Sequence, residues 1–564
     1  MASAGPRKTL SALGELVYIL KSQKFTLAVV LVSTIILSCL NMSVPIALKI
    51  AIDYIQKKEF SFLYYIAGAV FVIYLARNTV YYFSKSRIVL LAERVAFDLR
   101  NQMIAHLHRL SVNYYKRQKP AKISSRLIQD VESIKQFIGN ELTSLATNGL
   151  QVLVAVVIIM HTNPFLGLVA ISLLPLNVLI YFVFRGSISR SAHAAKEQVS
   201  NISGDLVEQF TGVETVKSSV SESMEQEKFA TSMRKGMSAQ IREMRFYLFQ
   251  KISADMVVGL SLVLLFSIGG YLLMAGALET AKFVMLYAYM GMLYPLATSL
   301  VADAGKFSSA SASVDRVYEI LRTAPEVRVL PHARPHKIEL GKIEFRNVLF
   351  SYGDQKLLED VSFTIEPGKH VLITGPSGCG KSSLLNLIPR FYDCQSGTIA
   401  VDGIDVRDFT LASLREQIGF VFQESFLFNS SVFENICYAH PEATYAEVVE
   451  AAELAHAHDF IQGLPQGYMT RIGEQGIQLS YGERQRISIA RAILKKPSIF
   501  ILDEAFTSLD PDSRDYVAQQ LMRLGRERTI LLVTHNPELF PAVHKELRFE
   551  DGRVNAYSLA PSVD

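Results

Sequence analysis

At 564 residues the chain is too long for one compact core and should divide into at least two domains. Half of its residues are hydrophobic, and they crowd before residue 303, which excludes an ordinary soluble enzyme. A net charge of only +4 removes the electrostatic case for nucleic acid as a partner.

The chain opens with Leu10–Leu20, an amphipathic stretch between Arg7, Lys8, Lys21 and Lys24. Residues 1–24 are therefore expected to form an elbow helix along the inner membrane surface, without a cleavable signal. Spans are read at 25–48, 60–83, 142–160, 165–184, 256–278 and 283–302, within a membrane region of 25–322. The third and fourth are the clearest, because no Asp, Glu, Lys or Arg occurs from Leu142 to Phe184, and His161-Thr162-Asn163-Pro164 supplies the turn. Lys and Arg gather in two long loops, from Lys85 to Lys135 and from Arg185 to Lys251. The opposite connections hold Lys49, Lys57, Lys58 and Lys282. Positive charge stays inside, so both termini and both loops should be cytoplasmic, with a bacterial inner membrane the expected location. Few helix breakers interrupt these loops, so they should carry the membrane helices into the cytosol. Met285, Tyr287, Tyr289, Met290, Met292 and Tyr294 on the last span suit either a cavity for amphipathic molecules or plain helix packing. No cluster of charged residues is read within the spans, which argues against a small ionic substrate.

Residues 323–336, with Pro325, Pro331 and Pro335, read as a linker, and 337–564 as a soluble α/β domain. Within it, Gly375-Pro376-Ser377-Gly378-Cys379-Gly380-Lys381-Ser382 fits the phosphate-loop pattern G-x-x-x-x-G-K-[ST]. A strand from His370 precedes it and a helix from Ser383 follows, as that loop requires. Glycines let backbone N–H groups close around phosphates, and the helix N-terminus adds a favourable dipole. Lys381 is set to reach the β- and γ-phosphates and Ser382 to ligate Mg²⁺. Cys379 is either a reactive thiol or a small filler. Further on, Ile499-Phe500-Ile501-Leu502 reads as a buried strand that aims Asp503 and Glu504 at the phosphate end of the sheet. Asp503 suits Mg²⁺ ligation through water, and Glu504 suits a general base for the attacking water.

Leu479-Ser480-Tyr481-Gly482-Glu483-Arg484-Gln485-Arg486 resembles the L-S-G-G-Q signature of ATP-binding cassette (ABC) transporters. With it, nearly the whole chain resembles an exporter-type half-transporter. The resemblance implies an α-helical six-span transmembrane domain of ABC exporter type, followed by an α/β P-loop NTPase with a RecA-like core and a helical subdomain. It implies ATP hydrolysis with Mg²⁺, coupled to export or flipping of amphipathic or hydrophobic molecules such as lipids and drugs. Two copies are implied, sharing two ATP sites. The alternatives are one half of a heterodimer with a related half-transporter, which Tyr481 and Glu483 leave open although intact Glu504 and His535 favour self-sufficiency, or an ATP-gated channel or regulator, against which the undegraded hydrolytic site argues.

Residue by residue, Tyr352 matches the aromatic that stacks on adenine, and Ser383 joins the phosphate contacts. Gln423 matches the glutamine that senses Mg²⁺ and the attacking water, and His535 the switch histidine near the γ-phosphate. Thr470–Glu474 resembles the exporter-specific segment, and Ser508-Leu509-Asp510 the loop touching the partner cassette. Ser480, Gly482 and Glu483 match the signature contacts to the partner's nucleotide. Lys119–Arg126 and Gly212–Ser219 resemble coupling helices. Two positions depart from the pattern: Tyr481 replaces the first signature Gly, and Glu483 replaces Gln. Ser480 with Glu483 should form a capping box, while the Tyr481 ring should point away from nucleotide and slow turnover.

Overall fold

A computed structural model of the chain describes residue 14 and residues 24–118, 120–353, 355–473, 479–525, 528–534, 543–550 and 553–558. Apart from Gly14, the expected elbow helix lies outside the described residues, as do Lys119, Glu474 and His535. The chain forms two compact units. One comprises Met1–His108 with Pro120–Arg322, the other Arg109–Lys119 with Thr323–Asp564.

Among the described residues, six helices of the first unit are long and apolar enough to cross a membrane: Lys24–Gln56, Ser61–Leu107, Pro120–Thr162, Pro164–Thr211, Glu222–Met274 and Thr280–Leu321. Several overrun any bilayer. Ser61–Leu107 has 47 residues, about 70 Å at 1.5 Å per residue, so the basic loops do continue the helices. The hairpin between the third and fourth helices is fixed locally. Asn163 caps the fourth helix by accepting from the Leu166 N–H at 3.0 Å, and Pro164 occupies the first turn, where a missing N–H costs nothing. The third long helix opens on the segment Pro120–Ser125, and the short helix Val213–Ser218 joins the fourth long helix to the fifth.

Four of the six Tyr and Met residues on the last helix take the packing role, while Tyr287 stays exposed. Met285, Tyr289, Met290 and Tyr294 are buried in the apolar core of this unit. The Tyr289 hydroxyl donates to the Met42 carbonyl at 2.6 Å, which satisfies its polar end inside the bundle. These side chains pack helices together. Further along the same helix, Arg316 meets Asp130 through Nε at 2.9 Å and Nη2 at 2.5 Å, with Ser313 as a third partner.

Among its described residues the second unit holds ten strands: β1 (Ile343–Tyr352), β2 (Gln355–Ile365), β3 (His370–Thr374), β4 (Ser396–Val401), β5 (Ile404–Asp405), β6 (Ile418–Val421), β7 (Ile499–Asp503), β8 (Thr529–Val533), β9 (Lys545–Glu550) and β10 (Arg553–Ser558). One sheet runs β2-β1-β4-β5 and the other β10-β9-β3-β8-β7-β6. In the larger sheet β9, β3, β8, β7 and β6 are parallel, so their carboxyl ends share one edge. β7 and β8 are buried along their whole length, as expected of strands covered on both faces. One apolar core joins the two sheets, and a second packs the helices between Val432 and Leu494 against the large sheet. That second core is the helical subdomain.

Candidate functional site

The carboxyl edge of the large sheet is where the motif residues meet. β3 leads into the phosphate loop, β6 into Gln423, and β7 ends in Asp503 and Glu504. Ligands of open α/β sheets bind at this edge.

The loop can be built only with glycine at key points. Gly375, Gly378 and Gly380 have φ of +145°, +79° and +110°, a region closed to most L side chains. A Cβ on Gly375 would sit 2.7 Å from Phe549 Cβ. Lys381 starts the following helix and is buried. Its Nζ donates to the Gly375 and Pro376 carbonyls at 2.9 Å each, which tethers the ammonium to the loop's own backbone.

Asp503 is buried, and its Oδ1 has no hydrogen-bond partner. Burial raises its pKa, opposed by a hydrogen bond from Ser382 and the charge of Lys381. A buried, unpartnered carboxylate oxygen beside a hydroxyl is a hard oxygen donor set, and it fits Mg²⁺. Glu504 takes the left-handed region at φ +51°, a conformation that costs about 1–3 kcal/mol and clusters at active sites. Its N–H bonds the Val533 carbonyl at 3.0 Å, so β8 holds the bend. The Glu504 carboxylate accepts from Gln423 Nε2 at 2.8 Å. These two side chains, 81 residues apart, are thus brought together.

Tyr352 ends β1 and meets Tyr392 edge-on, ring centres 5.1 Å apart. Burial raises the Tyr352 hydroxyl above its ordinary value. Lys116 Nζ lies 5.5 Å from the centres of both rings. Pro376, Ser377, Cys379 and Ser383 lie on the loop and the helix start it feeds.

The signature helix, Tyr481–Leu494, begins with a complete capping box: the Ser480 hydroxyl accepts from the Glu483 N–H at 3.3 Å, and Glu483 accepts from the Ser480 N–H at 2.7 Å. A Cβ on Gly482 would lie 2.9 Å from the Ser508 carbonyl oxygen, so glycine permits the close approach of that loop. Asp510 caps the next helix, accepting from Ser513 N–H at 2.9 Å. Tyr481 does something sequence reasoning missed. Its hydroxyl donates to the Gln423 carbonyl at 2.7 Å, and the Arg484 guanidinium stacks on its ring at 5.4 Å. Gln485 adds a second tie, accepting from the Ser425 hydroxyl at 2.5 Å. Only the aromatic at position 481 hinted at such a bridge.

The membrane unit holds a further group that sequence reasoning overlooked. A cavity of about 490 Å³ opens between its first three helices and is lined by Arg77 and Lys85 among many uncharged polar side chains. Arg77 remains the one charge within the second span, and Lys85 just beyond it joins it at this cavity. The signal was present, since Arg77 is the one charged residue from Phe60 to Phe83.

Six membrane helices followed by a cassette with phosphate loop, signature and paired acids define an ATP-driven transporter of the ABC class. The ABC transporter transmembrane region matches residues 27–295 and the ABC transporter ATP-binding family residues 358–507. The chain belongs to the ABC transporters. It is 32% identical over 534 residues to YgaD of Bacillus subtilis, named as a candidate multidrug export ATP-binding/permease protein, over 92% of each chain. Proteins of the same description from Staphylococcus aureus are 32% identical over 544 residues, 95% of this chain and 94% of theirs. A solved bacterial Atm1-family ABC exporter with ATP bound superimposes with a TM-score of 0.83 at 25% identity, over 95% of both chains. This chain is a multi-pass membrane exporter that couples ATP hydrolysis to transport.

Proposed function

We propose that two copies of this chain close head to tail and export or flip amphipathic or hydrophobic molecules, drugs or lipids, out of the bacterial cytoplasmic leaflet. The observation that carries this reading is the Gln423–Glu504 pair at 2.8 Å beside the phosphate loop, an undegraded hydrolytic set. In this reading the phosphate loop from Gly375 to Ser382, with Ser383, wraps the phosphates, and Tyr352 stacks on adenine. Lys381 leaves its carbonyl tethers for the β- and γ-phosphates. Ser382, Asp503 and Gln423 would hold Mg²⁺, which would supply positive charge to the phosphates there. Glu504 takes the proton of the attacking water, Gln423 orients both, and His535 contacts the γ-phosphate. Ser480, Gly482 and Glu483 of the second copy close the site with the helix N-terminus behind them.

One loop and one signature per chain support the dimer, and relatives named for multidrug export support the substrate class. Lys and Arg in the two long loops support a cytoplasmic cassette. The test is hydrolysis by purified protein in lipid, mixed with Glu504→Gln in rising proportion. A homodimer with coupled sites loses activity faster than the wild-type fraction falls, whereas a strictly proportional loss removes the coupled homodimer. A second cassette chain that co-purifies with this one would favour the heterodimer. A panel of drugs and lysolipids that leaves hydrolysis unchanged would remove the substrate class.

A further inference from the structure

We propose that the cavity between the first three membrane helices holds the anionic head group of an amphiphile. The proposal rests on the exporter reading above and adds the charge of the cargo. Its walls come from Asn41 on the first helix, Arg77 and Lys85 on the second, and Thr143, Asn148 and Gln151 on the third. No Asp or Glu lines it.

The two cations are the reason. Arg77 reaches only neutral groups: Nε and Nη2 face the Asn78 amide oxygen at 3.4 and 3.2 Å, and the guanidinium lies 4.5 Å from the centre of the Tyr74 ring. Lys85 Nζ donates to the Gly139 carbonyl at 2.9 Å and to Asn140 Oδ1 at 2.6 Å. Among the described residues neither side chain forms an ion pair. The neighbouring acid Glu141 pairs with Lys306 instead, at 3.1 Å. A cation held within a membrane bundle is expensive, and such residues mark substrate or ion pathways. Arg77 within its span and Lys85 at the span's cytoplasmic end face one space with no counter-charge among the described residues, and that space calls for an anion.

The rest of the lining suits an oxyanion. An arginine fork matches carboxylate or phosphate oxygens bidentately, and a lysine supplies a point charge. Gln151 is nearly fully buried, and Asn148 holds its amide toward Ser144 and Ser299 at 2.9 and 3.0 Å. Thr143 Oγ1 is buried without a partner. A volume of about 490 Å³ falls within the range of ordinary ligand pockets. With the long basic loops cytoplasmic, Arg77 and Thr143–Gln151 belong to the inner half of their spans, and Lys85 and Asn140 sit at the cytoplasmic mouth of the same space. An amphiphile could therefore enter from the inner leaflet, with its acyl chain in lipid and its head against the two cations.

The experiment uses the full chain in phosphatidylcholine nanodiscs, with lysophosphatidylglycerol and lysophosphatidylcholine of one chain length as probes. Wild-type protein should bind the anionic lysolipid at least tenfold more tightly. The double variant Arg77→Gln/Lys85→Gln should lose that preference, and Arg77→Lys should keep most of it. Unaltered monodispersity and thermal transition show that the variants fold. Inorganic phosphate separates a head group from a free anion: no competition supports the amphiphile, and full competition overturns it. Equal affinity for the two lysolipids in wild type, or an undiminished preference in the double variant, also overturns the proposal. If lysophosphatidylcholine nevertheless binds and stimulates hydrolysis, the exporter reading stands alone. If neither lysolipid binds or stimulates, both readings lose their support.

Discussion

The nucleotide edge and the membrane cavity are built from opposite materials. The first is made largely of backbone: three glycines at positive φ, helix N-termini, and a left-handed Glu504. Backbone geometry is written in adjacent residues, so it leaves compact motifs. The cavity is made of side chains on three separate helices, from Asn41 to Gln151, and no short pattern announces it. Sites shaped by the main chain tolerate almost no substitution at their glycines, whereas sites shaped by side chains should respond to charge and length.

The largest expected effect tests the chemical end of that contrast. Glu504→Gln should lower steady-state phosphate release by about 10²–10⁴-fold, the usual worth of a general base. ATP binding should survive, and ATP hydrolysis at the wild-type rate would remove Glu504 from the role. Next comes the backbone. Gly375→Ala puts a methyl 2.7 Å from Phe549 Cβ at a φ of +145°, a strain of about 1–3 kcal/mol. Nucleotide affinity, read by fluorescent ATP titration, should fall by tenfold or more, and the melting temperature should fall with it. A loop that accepts alanine would erase the distinction drawn here.

A side-chain pair in the membrane unit offers the complementary test. Arg316→Ala strips Asp130, itself only 8% exposed, of charge-assisted hydrogen bonds worth about 1.5–3 kcal/mol. The melting temperature in detergent should drop, and Asp130→Asn should recover part of the loss in the double variant. No coupling in that cycle would mean that the pair is incidental.

Smaller still is Tyr481→Phe, which removes the hydroxyl that reaches the Gln423 carbonyl and costs about 0.5–1.5 kcal/mol. Turnover should change several-fold without a change in ATP affinity. If both this variant and Tyr481→Gly turn over like wild type, the bridge has no kinetic role. The smallest effect concerns the helical subdomain. Glu447 is held at about 2, from an ordinary 4.5, chiefly by the Thr444 backbone N–H and then by Lys496 and the Thr444 hydroxyl. A depressed carboxylate stabilises fully above its unfolded value and loses that support as pH falls through its folded one. The excess stability of wild type over Glu447→Gln should therefore fade between pH 4.5 and about 2, followed by circular dichroism.

Six spans, the strand and helix flanking the phosphate loop, and the Ser480–Glu483 box were legible in the sequence. Each depends on local periodicity or on residues within one helical turn. The Tyr481–Gln423 bridge was not legible, because 58 residues separate its ends and a carbonyl acceptor carries no sequence identity. The last span's Tyr and Met residues left two readings open, since a buried hydroxyl looks the same in sequence whether it faces cargo or, as Tyr289 does, a carbonyl of another helix. Arg77 stands alone among apolar and polar neutral residues in the second span, and only the cavity around it shows what such a charge faces.

Residues Arg109–Lys119 cluster with the cassette although they precede it by some two hundred positions. Asn113 Nδ2 donates to Glu326 at 2.8 Å, and Lys116 lies against Tyr352 and Tyr392. A cassette excised at Thr323 would leave Glu326 facing water and the aromatic shelf uncovered. Such a fragment is not a faithful miniature of the native module, and adenine affinities measured on it would describe a surface the intact polypeptide never exposes in this form.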